Sequence, residues 1–298
     1  MNKYFTVYTL LTVSIISCQK DFSIDNTQSA NVITASNDSI FITKVVALDT
    51  NKTVPFDTTY ILKVTYDNLK RVVKVYGKYY DNQGPNINNA FSSYNYIYTG
   101  NDSLPSKKVY IIGDNIVIDT TISHPNYLSG TMKLSKDSII HINDNPISFQ
   151  IINYNYSGNL ITTNEREYSL GSTGITATQL FQVTTTNGNI VSENQNNSYA
   201  TYTCIYDLKP NPFLRVFFEQ NQYFDFLIAD PFFIDDPIFY LQKNNILESN
   251  ITRSNASSHK LFSYKYNSLN YPIEVRIQTL ITANNNNSVN KIKFYYTN

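Results

Sequence analysis

Residues 217–242, FFEQNQYFDFLIADPFFIDDPIFYLQ, hold the chain's densest mixture of aromatic rings and carboxylates. Tyr223 and Phe224 stand beside Asp225, and Asp230, Asp235 and Asp236 follow, while Pro231 and Pro237 oppose a regular strand or long helix. Rings stack on apolar or sugar faces, and carboxylates accept hydrogen bonds or hold calcium. These residues are therefore the candidate ligand-facing site. The competing reading is a plug whose aromatics finish a core, and the absence of Trp, often used for sugar stacking, points that way. Glu165 and Glu167 form a second acidic pair, about 7 Å apart along a strand, which invites comparison with glycosidase carboxylates. Their alternation with Arg166 indicates a solvated face instead. His124, His141 and His259 are too scattered for a zinc site, and no glycine-rich phosphate loop or Gly-x-Ser-x-Gly elbow occurs. No catalytic residue, metal or cofactor is assigned.

Cys18 offers chemistry of another kind. Lys3 precedes a mostly apolar segment from Tyr4 to Ser17, interrupted by Thr6, Thr9, Thr12 and Ser14. That segment falls short of the roughly 20 apolar residues a membrane-spanning helix needs, but it suits the ~7–15-residue apolar region of a secretory signal. Ile15-Ile16-Ser17-Cys18 resembles the lipobox of bacterial lipoproteins. The resemblance implies a signal peptide over 1–17 and a lipidated Cys18 as first residue of the mature chain, a membrane partner through its lipid. Gln19-Lys20-Asp21 resembles a short form of the export signal of surface lipoproteins in Bacteroidota. It implies an outer-membrane lipoprotein exposed on the cell surface, with a periplasm-facing anchor as the alternative. Residues 18–38, rich in Ser, Thr, Asn and Asp, read as a tether. Asp38-Ser39-Ile40 and Asp102-Ser103-Leu104 resemble the O-glycosylation signal of exported Bacteroidota proteins. Ser39 at the tether's end and Ser103 in a hairpin loop are thus candidate sugar acceptors.

The remaining elements must position whatever the chain binds. Basic and acidic residues balance at 23 each, so there is no electrostatic footprint for nucleic acid. The 25 Tyr and 17 Phe favour pleated, half-buried strands. Period-two alternation recurs: Leu62, Val64, Tyr66; Tyr94, Tyr96, Tyr98; Ile152, Tyr154, Tyr156; Phe262, Tyr264, Tyr266; and Ile292, Phe294, Tyr296. A turn-forming group follows each internal run, as in DNLK after Tyr66 and NSLN after Tyr266, before a strand resumes. Asn187-Gly188 marks another tight turn. Cys204 is a small buried side chain. Unequal spacing of the hairpins argues against a solenoid. The expected fold is all-β: an antiparallel meander of hairpins over 39–298, forming a large curved sheet or open barrel, with an irregular excursion near 213–247.

The hairpins resemble the tyrosine-and-aspartate repeats of secreted bacterial proteins, and CIYDLKPNPFLRVF followed by FYLQKNNILESNITR resembles a pairing found in Bacteroidota lipoproteins of a domain family of unknown function. That resemblance implies a porin-like fold in the cell envelope and brings no catalytic residues. A transmembrane barrel would show strands of about 9–11 residues with outward apolar faces, whereas the strands here read as shorter, with tyrosines mid-strand. The expected function is a binding or structural role at the envelope, with an envelope protein or glycan as partner; the alternative is an extracytoplasmic carboxylate hydrolase acting on glycans.

Overall fold

The computed structural model describes residues 41–49, 57–80, 90–114, 118–171, 174–175, 177–195, 198–215, 242–253, 256–280 and 288–297. Sixteen strands run in chain order: β1 Ile42–Asp49, β2 Asp57–Tyr66, β3 Val72–Tyr79, β4 Phe91–Ile97, β5 Lys107–Gly113, β6 Ile118–Tyr127, β7 Leu134–His141 and β8 Ser148–Ser157, then β9 Leu160–Ser169, β10 Ala177–Thr186, β11 Asn189–Gln195, β12 Ser198–Pro210, β13 Asn244–Arg253, β14 Ala256–Tyr266, β15 Pro272–Leu280 and β16 Ser288–Tyr296. Each pairs antiparallel with its sequence neighbours, and β1 pairs with β16, so the meander is a closed barrel. Closure removes the unpaired edges that an open sheet would expose. Strands range from 7 residues in β4 to 13 in β12, and many fall in the 9–11 range, so they are longer than their sequence pattern suggests. The stretch expected to be irregular is narrower at its C-terminal end, since β13 begins at Asn244.

The turns at one end, here the near end, explain the repeating sequence. In the β2–β3 turn, Asp67 Oδ1 accepts hydrogen bonds from the Leu69 and Arg71 amides, each at 2.9 Å. Asn267 does the same for Leu269 and Tyr271 in the β14–β15 turn, at 3.0 and 2.9 Å. Lys70 and Asn270 both take φ of 63°. Asn187 and Gly188, at φ 53° and 82°, make the two-residue β10–β11 turn. The tyrosine closing a strand then reaches back to the preceding strand: Tyr66 Oη donates to the Ile42 carbonyl at 2.9 Å, Tyr98 to Val72 at 2.7 Å, Tyr127 to Pro105 at 3.2 Å and Tyr296 to Pro272 at 2.6 Å. These four rim tyrosines thereby stitch their strand ends to the start of the strand before.

Register separates the two faces, because residues paired across strands share a side of the sheet. Val45, Leu62, Val64, Val75, Tyr94 and Tyr154 point inward with Phe181, Tyr202, Phe262, Ile277, Ile292 and Phe294, and form one buried cluster. Their strand neighbours Lys63, Thr65, Lys74, Asn155, Arg166, Thr203, Lys265 and Arg276 are exposed outside. The core is therefore the lumen. One approach is unusually close: a Cβ built on Gly77 would run into Tyr60 Oη, because that buried ring lies over the glycine.

Candidate functional site in the barrel lumen

Towards the far end, opposite the tyrosine rim, part of the lumen wall is polar. Register places Asp119 and Thr121 of β6, His141 of β7, Gln150 of β8 and Glu165 and Glu167 of β9 on the inward face. Thr121 Oγ1 and His141 Nδ1 are 3.2 Å apart. Asp119 Oδ1, His141 Nε2 and Gln150 Oε1 are buried without a hydrogen-bond partner among the described residues, where most buried polar atoms find one. Burial raises the Glu165 carboxyl above the usual range, the Glu167 charge adds to this, and His141 partly offsets it. Arg166 points outward and is exposed, so the expectation of a solvated Glu165–Glu167 face is corrected: the alternation is real, but the acids take its inner phase.

Across the ring, β14 lies seven strands from β7. It presents Lys260 inward beside the Ser249 position of β13, and burial lowers the Lys260 pKa to about 8. The lumen thus sets a carboxylate-rich wall against a wall bearing a cation, an arrangement able to orient a ligand with hydroxyl or amine donors. A third polar group lies deeper. Lys108 Nζ is 3.7 Å from Asp137 Oδ2, both side chains being almost wholly buried, and Ser123 Oγ is 2.7 Å from each Asp137 oxygen. Asp137 is in phase with the core residue Ile139, which is the signal in LSKDSII that could have revealed it.

The ends of the excursion are locked to the barrel. Lys209 donates its amide to Asp207 Oδ1 at 2.9 Å, while Asn245 Nδ2 reaches Asp207 Oδ2 at 3.2 Å and the Tyr266 hydroxyl donates to the same oxygen. The Lys209 ammonium lies 3.2 Å from the centroid of the Tyr266 ring. Gln242 Oε1 accepts from the Ile190 amide at 2.7 Å, and Asn189 Oδ1 from the Lys243 amide at 2.8 Å. Phe213, 1% exposed, packs edge-on to Phe294 in the core. The motifs 206–213 and 243–245 therefore serve as a clamp.

Of the residues singled out by sequence, Tyr223, Phe224, Asp225, Asp230, Asp235, Asp236, Cys18 and Ser39 lie outside the described residues. Ser103 is exposed in the β4–β5 turn. Cys204 faces inward, half-buried against the core. His124 and His259 point outward, and His259 Nε2 lies 3.1 Å from Glu248. Among the described residues no cluster of His, Cys, Asp and Glu could hold a metal ion.

No family model matches the chain, and no curated protein matches it. Several solved structures are similar, among them two porin-like proteins. One is a porin-like protein from Bacteroides uniformis ATCC 8492, at 10% identity and a TM-score of 0.50, covering 86% of this chain and 98% of that one. The other is a porin-like protein from Bacteroides vulgatus ATCC 8482, at 12% identity and a TM-score of 0.43 over 86% and 98%. The first likeness extends to the fold, an all-β antiparallel barrel.

Proposed function

We propose that this chain is an outer-membrane-anchored lipoprotein whose barrel has a binding role at the cell envelope. The facing of the barrel carries the reading: core inside, charges outside. Arg276 sits outward at mid-strand, where a bilayer midplane would cost about 2–4 kcal/mol, and Lys63 and Arg166 sit outward one to two residues from mid-strand, on opposite sides of it, where the cost is smaller but adds to the first. Such a barrel is held at a membrane by an anchor rather than by insertion. Cys18, after the signal-like residues 1–17, is the residue able to provide one. The lipobox resemblance, the repeat-bearing hairpins and the fold likeness to a Bacteroides protein support the same compartment, with the barrel on the outer surface. The luminal wall of β6–β9 supports binding of a ligand with hydroxyl or amine donors, of which a glycan is the simplest envelope example. Fatty-acid labelling in the native host tests the anchor: the wild type takes label, and Cys18→Ala remains an unlabelled precursor. Unchanged labelling of that variant overturns the reading. Glycan on Ser39 or Ser103 belongs to it too, read as excess intact mass over a cytoplasmically made chain once the lipid is subtracted.

One observation favours a second reading. Glu165 and Glu167 face inward together and Glu165 is held towards its protonated form, as a general acid beside a carboxylate would be in glycan hydrolysis. Release of reducing sugar from envelope glycans, abolished by Glu165→Gln, would establish it; no release by the wild type would dismiss it.

A further inference from the structure

The chain is neutral overall, but its outer surface is not evenly charged. On six adjacent strands, β14, β15, β16, β1, β2 and β3, register turns Lys265, Arg276, Lys293, Lys44, Lys63 and Lys74 outward. Arg276 is at mid-strand and the other five lie in the half of their strand nearer the tyrosine rim. Glu274 is the acid in that half of the same strands, Asp49 and Asp57 being at the far end. Its carboxyl is held below the usual range, first by a hydrogen bond from Lys265 and then by the charges of Lys291, Lys265 and Lys293. Lys44 stands directly opposite Lys63, and like charges in that position destabilise a sheet. An anionic partner would relieve this repulsion.

The position of the wall indicates which anion. β1 lies in its middle, and the chain reaches the barrel at Phe41, beside the near-end rim. Whatever precedes Phe41 is covalently joined to the centre of the basic wall. We infer that this wall is a docking surface for the phosphate-bearing headgroups of the anionic lipid layer in which the chain is anchored. The inference rests on the anchored reading for its membrane. Basic residues close to such a surface contribute about 1 kcal/mol each and act within a Debye length, so the wall would hold the near end down and turn the far end, with its polar lumen, towards solution.

The test needs no acyl group. The barrel closes between Phe41 and Thr297, so a chain beginning at Gln19 keeps every described strand. Its sedimentation with vesicles of equal parts phosphatidylethanolamine and phosphatidylglycerol is compared with that on phosphatidylcholine vesicles, at low and high salt. Binding is expected to the anionic vesicles alone, lost at high salt, and weakened at least about tenfold by Lys63→Glu with Arg276→Glu. Lys136→Glu with Arg166→Glu, the same charge change on β7 and β9, should leave it within about twofold; thermal unfolding confirms that both variants fold. Equal weakening by the two pairs, equal binding to both vesicle types, or wall-dependent binding to soluble dextran sulfate without vesicle binding each overturns the inference. Wall-dependent vesicle binding alongside unchanged labelling of Cys18→Ala would leave the surface standing and remove the anchor.

Discussion

Replacing Lys108 with Met should destabilise the barrel far more than replacing both members of its ion pair. Lys108 is 4% exposed and Asp137 0%, so the single variant takes away the ammonium 3.7 Å from a buried carboxylate, beside which the Ser123 hydroxyl stays. Breaking a buried pair in this way costs about 3–5 kcal/mol, and Asp137→Leu should cost a similar amount by removing the carboxylate beside the buried ammonium. In the double variant Lys108→Met/Asp137→Leu neither charge remains. The desolvation penalty disappears with them, and the remaining cost is about 1 kcal/mol for the Ser123 hydroxyl left without its acceptor. The two single losses would sum to about 6–10 kcal/mol, so the coupling should exceed about 4 kcal/mol. Because the chain lacks Trp, urea unfolding is best followed by far-ultraviolet circular dichroism, with midpoints compared at constant slope. A double variant equal to the sum of the singles within about 0.5 kcal/mol would refute the reasoning, as would a Lys108→Met cost below about 1 kcal/mol.

Gly77→Ala should cost about 1–3 kcal/mol, because the new methyl meets the Tyr60 ring; an unchanged unfolding midpoint would show that the ring moves freely. Tyr154→Ala should cost about 3–5 kcal/mol and Asn155→Ala little, since Tyr154 is buried in the lumen and Asn155 exposed outside; equal effects would mean the faces are misassigned. Burial holds Lys260 down at about 8 from an ordinary 10.5. The unfolded chain therefore binds more protons between those values, and stability should rise with pH from about 8. The full window is worth on the order of 3 kcal/mol. Buried tyrosines such as Tyr156, pushed up to about 12, stay protonated in the fold while the unfolded chain ionises near 10, which reverses the trend above about pH 9.5. Lys260→Met should abolish the rise and stabilise the barrel at neutral pH; an identical pH profile in the variant would contradict the assignment.

Strands and turns were legible in the sequence because they depend on neighbours. Alternation of Leu62, Val64 and Tyr66 places them on one face whatever the rest of the chain does. The Asp67 and Asn267 turns are set by side chains that bond amides two and four residues on, and Asn187-Gly188 by its tolerance of positive φ. Which phase of a strand faced the core was legible only where the two faces differed. In β9, Ile161, Thr163, Glu165 and Glu167 alternate with Leu160, Thr162, Asn164 and Arg166. Each set mixes apolar, neutral and charged residues, so alternation alone cannot choose between them. The choice came from pairing, with Glu165 opposite the core residue Ile152 and Thr163 opposite Phe181. Charge polarity of the outer wall was likewise hidden, because Lys44 and Lys293 are far apart in sequence and meet around the seam. That seam is the clearest division between the two levels. Sequence by itself determined a meander of hairpins with tyrosines in one phase, since each hairpin is closed by a few consecutive residues. Only the tertiary structure decided that the meander closes, because Val45 opposite Phe294 and Ala47 opposite Ile292 are contacts between the two ends of the domain. Their hydrogen bonds follow from the accumulated twist and stagger of all sixteen strands, a sum that no local pattern contains.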